Sequence, residues 1–351
     1  MREISHRIGN CGEEKAVFAL KHDQEVIQGD DRGSLLPFTV LFFAALIVGV
    51  AAAVVVSPLA AWGVAAAGFR FPFPRIFDRT VMVTLGLVLV LMARPLRLLP
   101  LLKHGFVLNQ TEPPAAGQRP GVKRAIGLSI GGLIVALTAI AVLFAIAAAM
   151  GAGGPHRDSA LLFRAGKYIG AAIAIAIIEE GFFRAFLLGG MRHDFGRAGA
   201  LIGSAVIYSL AHLVRAPKHY YISGFHGGAG LHDFILSVTR LIHPGNALGT
   251  ILGLFLLGLV LGEAFLLTGS VYFSIGMHAG FVIGAKSWPV LGDHGARMPQ
   301  WLAGTGPVPL IGGAGAWFVA LILMALLPVL LSRARLTTAY SPQRQMEPGL
   351  K

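Results

Sequence analysis

Charge is what this sequence most lacks. Only 13% of its 351 residues are Asp, Glu, Lys or Arg, against 55% hydrophobic ones, and mean hydropathy is +0.71. A soluble domain carries about a quarter charged residues, so a soluble globular chain is excluded. Cysteine is nearly missing as well. Cys11 stands alone, and no disulfide can form within the chain. No His-Glu-x-x-His stretch occurs, which removes the helix-borne zinc protease pattern. Asparagine is confined to Asn10, Asn109 and Asn246, none of them inside an apolar run that carries charge. The formal net charge of +12 resembles that of nucleic-acid binders. Here, however, the basic residues sit in short loops beside apolar runs, which is the topology signal of membrane proteins. No nucleic acid is expected as a partner.

Long apolar runs are what the chain has instead. With about 20 residues per crossing, the runs predict spans near 36–62, 79–101, 123–149, 166–191, 199–214, 247–267, 270–286 and 309–332. The fold class expected is therefore all-α, a polytopic transmembrane helical bundle with about eight spans. The first 34 residues carry both signs of charge and no apolar core, unlike a cleavable signal peptide. Residues 1–34 read as a cytoplasmic tail and 35–160 as N-terminal transmembrane helices. Residues 161–290 read as a core bearing the chemistry, and 291–351 as a last helix with a basic tail. The Pro/Gly/Gln stretch 111–121 reads as a loop, as does 215–246 with His219, His226, His232 and His243. Alternating eight spans puts 17 of the 29 Lys and Arg on one side and 10 on the other, which places both termini in the cytoplasm. The Ala- and Gly-rich composition suits a bacterial plasma membrane.

The chemistry concentrates in the apolar stretch that ends Glu179-Glu180-Gly-Phe-Phe-Arg184. A charge at mid-bilayer costs at least about 2.5–3.5 kcal/mol, so three of them imply a use. Glu180 and Arg184 are four apart and share a helix face, where they can pair. Glu179 points about 100° away, towards whatever cavity exists, as a candidate general base. The next run carries Tyr208-Ser-Leu-Ala-His212. If the turn lies near residue 195, Glu179 stands 16 residues before it and His212 17 after it. In an antiparallel hairpin those side chains reach the same depth. A third polar element is Ser274-Ile-Gly-Met-His278, behind a Thr268-Gly269-Ser270 turn. The helix before it carries Gly258 and Gly262, a seam of small residues for close packing. Glu263 and Lys286 stand near run ends, where they can snorkel.

Taken in order, Glu179-Glu180-x-x-x-Arg184, Tyr208-x-x-x-His212, the glycine-bearing helix and His278 resemble the CPBP family. These are the CAAX-protease and bacteriocin-processing (Abi) intramembrane proteases. The resemblance covers roughly 165–286 and implies peptide-bond hydrolysis at a site buried among helices. It implies Glu179 and His212 activating water, Glu180 and Arg184 holding Glu179 in place, and His278 completing the site. Two His and a Glu from three helices could also supply the three protein ligands of a catalytic zinc, namely Glu179, His212 and His278. A metal-free glutamate mechanism is equally open to these residues. Two positions depart from the family pattern. Tyr208 stands where Phe is usual, and Val282 stands where an oxyanion-binding Asn is usual, leaving His278, Arg184 or Lys286 as substitute donors. The partners implied are membrane lipid and a membrane-associated peptide or protein substrate. Two other readings stay open: a non-proteolytic immunity or scaffolding protein of the same family, and a proton-coupled transporter.

Overall fold

The computed structural model describes residues 37–96, 122–150, 161–212, 220–222, 224–242, 245–291, 300–304 and 310–339. The N-terminal tail with Cys11, the 111–121 loop, His219, His243 and the end of the basic C-terminal tail lie outside the described residues. Regular structure is helical, and prolines and glycines set many of its boundaries. Helix α1 (Phe38–Ala66) starts behind Pro37, and α2 (Phe73–Leu91) behind Pro72. The expected span at 79–101 therefore begins six residues earlier, because the fixed φ of proline suits a helix start. There follow α3 (Val122–Ala149) and α4 (Leu161–Glu180). The latter runs without a break into a π-helical segment, Gly181–Leu188, and then into α5 (Gly189–Ala211). Helices α6 (Ala229–Ile242), α7 (Leu248–Thr268), α8 (Val271–Leu291) and α9 (Ala314–Ala339) complete the described chain, with one short turn at Gln300–Ala303.

The chain is all-α, but the expectation of eight spans is not met. Among the described residues, four helices are long and apolar enough to cross a membrane: α1, α3, α7 and the Ala314–Leu331 part of α9. Counting apolar runs overstates the number for reasons visible in the helices themselves. Arg75, Asp78 and Arg79 crowd the start of α2. Gly196 (φ 66°, ψ −172°) breaks α5 beside Arg192, Asp194 and Arg197, leaving a short apolar remainder. The run 166–191 carries four charges, Lys167, Glu179, Glu180 and Arg184, and changes helix type midway. The Lys and Arg count rested on eight alternating segments and loses its basis with them. The 215–246 stretch also differs from the expected loop, since much of it is α6. Its buried side combines Asp233 and Ser237 with Ala229, and its exposed side mixes Leu231 and Ile235 with His232 and Thr239.

Close packing centres on α7 and α8. Val260, Leu261 and Ala264 of α7 meet Phe273 and Met277 of α8, Ala136 of α3, and Leu323 and Leu327 of α9. Helix α8 presses on α3 through Gly276, where an added Cβ would stand 1.8 Å from the Ser129 carbonyl oxygen. Gly258 and Gly262 of α7 likewise admit Ala205 and Leu201 of α5, so their role is helix contact. Helix α1 is tied to the same hairpin from outside. The Asp194 carboxylate accepts the Phe38 and Thr39 amides at 3.3 and 2.7 Å and the Thr39 hydroxyl at 2.6 Å. It thereby caps a helix 155 residues away in sequence, satisfying amides that have no partner within α1.

Candidate active site

Glu179 and Glu180 end α4, where the hydrogen-bond pattern loosens into the π-helix. Departures of this kind inside long helices concentrate at functional sites. The two carboxylates differ sharply in environment. The Glu180 side chain is fully buried, whereas that of Glu179 is 26% exposed. Arg184 Nε lies 3.2 Å from Glu180 Oε2, so the expected pair forms across the change of helix type. The second Glu180 oxygen accepts a 2.8 Å hydrogen bond from His278 Nδ1, and Ser274 lies beside the same carboxylate. Three residues from two helices thus hold one buried anion.

His278 reaches this position because Gly269 (φ 69°) closes α7 with a left-handed cap, and Thr268 and Ser270 bond across the turn. His212 is the C-cap of α5, and its Nδ1 lies 2.8 Å from the carbonyl oxygen of Tyr208. A carbonyl can only accept, so Nδ1 carries the proton, and Nε2 of the neutral ring carries none. The same logic applies to His278, whose Nδ1 faces a carboxylate. Both Nε2 atoms then face one oxygen: Glu179 Oε2 stands 3.7 Å from His212 Nε2 and 3.8 Å from His278 Nε2. That oxygen is buried and has no hydrogen-bond partner. All five residues singled out in the sequence, Glu179, Glu180, Arg184, His212 and His278, meet within this cluster. No three His, Cys, Asp or Glu side chains among the described residues stand closely enough to form a finished metal site.

The structure adds one organising residue. Tyr208 is 1% exposed, with the Arg184 guanidinium 4.6 Å from its ring centroid and the His212 ring also at 4.6 Å. Phe183 and His278 meet it edge-on at 5.0 and 6.4 Å. The aromatic at this position was visible in the motif, but its central role was not. Ser274, which opens the third polar element of the sequence, lies one turn before His278 on the same face and gains a place beside Glu180. Other polar residues have duties elsewhere. Glu263 pairs with Arg197 at 2.6 Å, and Lys286 Nζ sits 5.6 Å from the Tyr168 ring centroid. Arg184 is held by Glu180, by Tyr208 and, through Nη2, by the Gly258 carbonyl at 3.5 Å.

The ring of Tyr208, rather than its hydroxyl, makes these contacts. Tyr208→Phe should therefore change stability by less than about 1 kcal/mol. Tyr208→Leu should lower it by about 2–3 kcal/mol through lost cation–π and ring contacts. Thermal melts of the two variants in detergent check this, and equal melting points would refute the clamp.

The chain thus brings together a buried carboxylate–histidine cluster in a multi-pass protein, packed beside α7, one of the helices long and apolar enough to cross a bilayer. Residues 161–283 match the family described as Type II CAAX prenyl endopeptidase Rce1-like. Over that stretch the chain carries a CAAX-protease-like domain of the CPBP family, and its assignment as a protease rests on this match. No curated protein and no solved structure matches the chain.

Proposed function

We propose that the protein is an intramembrane endopeptidase acting on membrane-associated peptides or proteins, with Glu179 as its base. The observation that carries this reading is the Glu179 Oε2 atom, buried, without a hydrogen-bond partner and faced by two imidazole Nε2 atoms. A water held between that oxygen and His212 would lose its proton to Glu179 as it attacks the scissile carbonyl. Glu180 and Arg184 do not touch substrate in this scheme. Glu180 fixes the tautomer of His278, and Arg184 offsets the buried charge of Glu180. The polypeptide would sit in a bacterial plasma membrane as a multi-pass protein.

The same donor set fits a zinc ion. Two neutral imidazoles with outward Nε2, a carboxylate oxygen, and a carboxylate behind one imidazole form the usual donor chemistry of catalytic zinc. Two zinc bonds of about 2.05 Å at a tetrahedral angle put ligand atoms about 3.3 Å apart. The 3.7 and 3.8 Å seen here are therefore a few tenths of an ångström open. Glu179, His212 and His278 would hold the ion, and bound zinc would polarise the scissile carbonyl as a Lewis acid. That chemistry would also make up for Val282, which has no hydrogen to donate to an oxyanion. Without metal, none of the substitute donors is free as placed: the Nδ1 proton of His278 goes to Glu180, Lys286 sits over the Tyr168 ring, and Arg184 is paired with Glu180.

The test combines turnover and metal content. Purified protein incubated with a library of membrane-associated peptides should generate new termini detectable by mass spectrometry. Elemental analysis should find close to one zinc per chain, lost in His278→Ala. Cleavage by demonstrably metal-free protein would remove zinc from the scheme, and no cleavage of any peptide would remove the peptidase reading.

A further inference from the structure

Away from the catalytic cluster, α1 and α2 pack antiparallel and leave a groove of about 530 Å³ on their outer flank. Val56, Ala60 and Val64 of α1 and Val83 of α2 wall it, and Arg75 and Arg79 stand over it. The two arginines are four apart, one turn above the other on the same exposed face. Neither pairs with an acid among the described residues. Their neighbours are soft instead. The Arg75 guanidinium is 5.9 Å from the Phe71 ring centroid, and Arg79 Nη1 is 3.6 Å from Met82 Sδ.

The level of this feature is fixed by what surrounds it. Trp62 (54% exposed), Phe69 and Tyr221 project from the same end of the helix pair, in the manner of an aromatic belt at a bilayer interface. Away from that belt the groove is bare hydrocarbon, with Val83 69% exposed. Val56 lies two turns back along α1 from Val64, about 12 Å deeper at 1.5 Å per residue. An exposed pair of cations thus caps an apolar trough that descends from the interface.

We propose that this groove binds an anionic phospholipid, with its phosphate between Arg75 and Arg79 and one acyl chain between α1 and α2. Guanidinium groups suit phosphate oxygens in geometry and charge. A zwitterionic lipid cancels its phosphate with its own ammonium and brings no net charge to the two arginines, whereas an anionic lipid brings one negative charge. The bound lipid fastens the α1–α2 pair to the bilayer, and α1 is the helix that Asp194 caps against the catalytic hairpin.

Native mass spectrometry of the full chain in mild detergent tests this, with phosphatidylglycerol and phosphatidylcholine offered at equal concentration. Phosphatidylglycerol should be retained preferentially. Each interfacial cation is worth about fivefold in affinity for anionic lipid, so Arg75→Ala with Arg79→Ala should weaken binding by about 30-fold. Arg75→Lys with Arg79→Lys should keep most of it. Val83→Trp leaves the charge intact but fills the trough, and should also release the lipid. Equal retention of both lipids would overturn the proposal. So would retention unchanged in both the double alanine variant and Val83→Trp. Competition by millimolar inorganic phosphate as effective as that of lipid would reduce the feature to a bare anion site and overturn it as well.

Discussion

Glu179→Gln should reduce peptide cleavage by a factor of about 10²–10⁴, the usual worth of a positioned general base. Glutamine keeps the size and shape of the side chain but cannot take a proton from water. Because Glu179 is the partly exposed member of the carboxylate pair, its replacement leaves the buried Glu180–Arg184–His278 bonds in place. Expression, membrane insertion and melting temperature should therefore stay near those of the parent. The measurement is single-turnover cleavage of the best peptide from the library, alongside a thermal melt. Turnover close to that of the parent would mean that the proton goes elsewhere. Loss of both activity and folding would mean that Glu179 is a structural residue.

Arg184→Ala should have the opposite profile, with stability failing first. Arg184 is 2% exposed and Glu180 is fully buried. Removing the cation leaves an anion deep in the bundle with only His278 and Ser274 beside it, at a cost of about 3–5 kcal/mol. The stacking on Tyr208 disappears at the same time. A large drop in melting temperature and poor recovery from membranes are the expected results. Removing both charges separates the causes. Glu180→Gln combined with Arg184→Met should recover part of the lost stability, because no unpaired charge is then buried. If the double variant were as unstable as Arg184→Ala, packing rather than charge would be responsible.

The site was more legible in the sequence than the architecture around it. Charges in an apolar helix are too costly to be incidental, so Glu179, Glu180 and Arg184 announce themselves. Equal spacing about a turn near 195 put His212 at the depth of Glu179, and Gly196 does break the chain there. The number of crossings was not legible, because counting assigns a span to every apolar run. It cannot see that Gly196 divides α5 or that the chain changes helix type at Gly181. Helix α6 was missed for a related reason. Its inward face mixes Ala229 with Asp233 and Ser237, and its outward face mixes Leu231 and Ile235 with His232 and Thr239, so no clean apolar stripe marks it. The Asp194 cap on α1 was beyond reach, since nothing local couples residues so far apart. The Tyr208 clamp lay between these cases. The aromatic was visible, but the stacking of Arg184 and His212 on its ring depends on the approach of α4 to α5.

The π-helical segment Gly181–Leu188 also gives the catalytic hairpin a place where chain length can change. Its wider turn holds one residue more per hydrogen-bonded loop than an α-helix would. Losing a single residue there would let the segment tighten into ordinary α-helix, and the narrower turn would take up most of the loss. A deletion in the flanking α-helix has no such slack and would swing everything before it by about 100° relative to everything after it. Glu179 and Glu180 would then turn away from His278 although no catalytic residue had been altered. The wide turn is thus slack stored in the chain beside the two carboxylates.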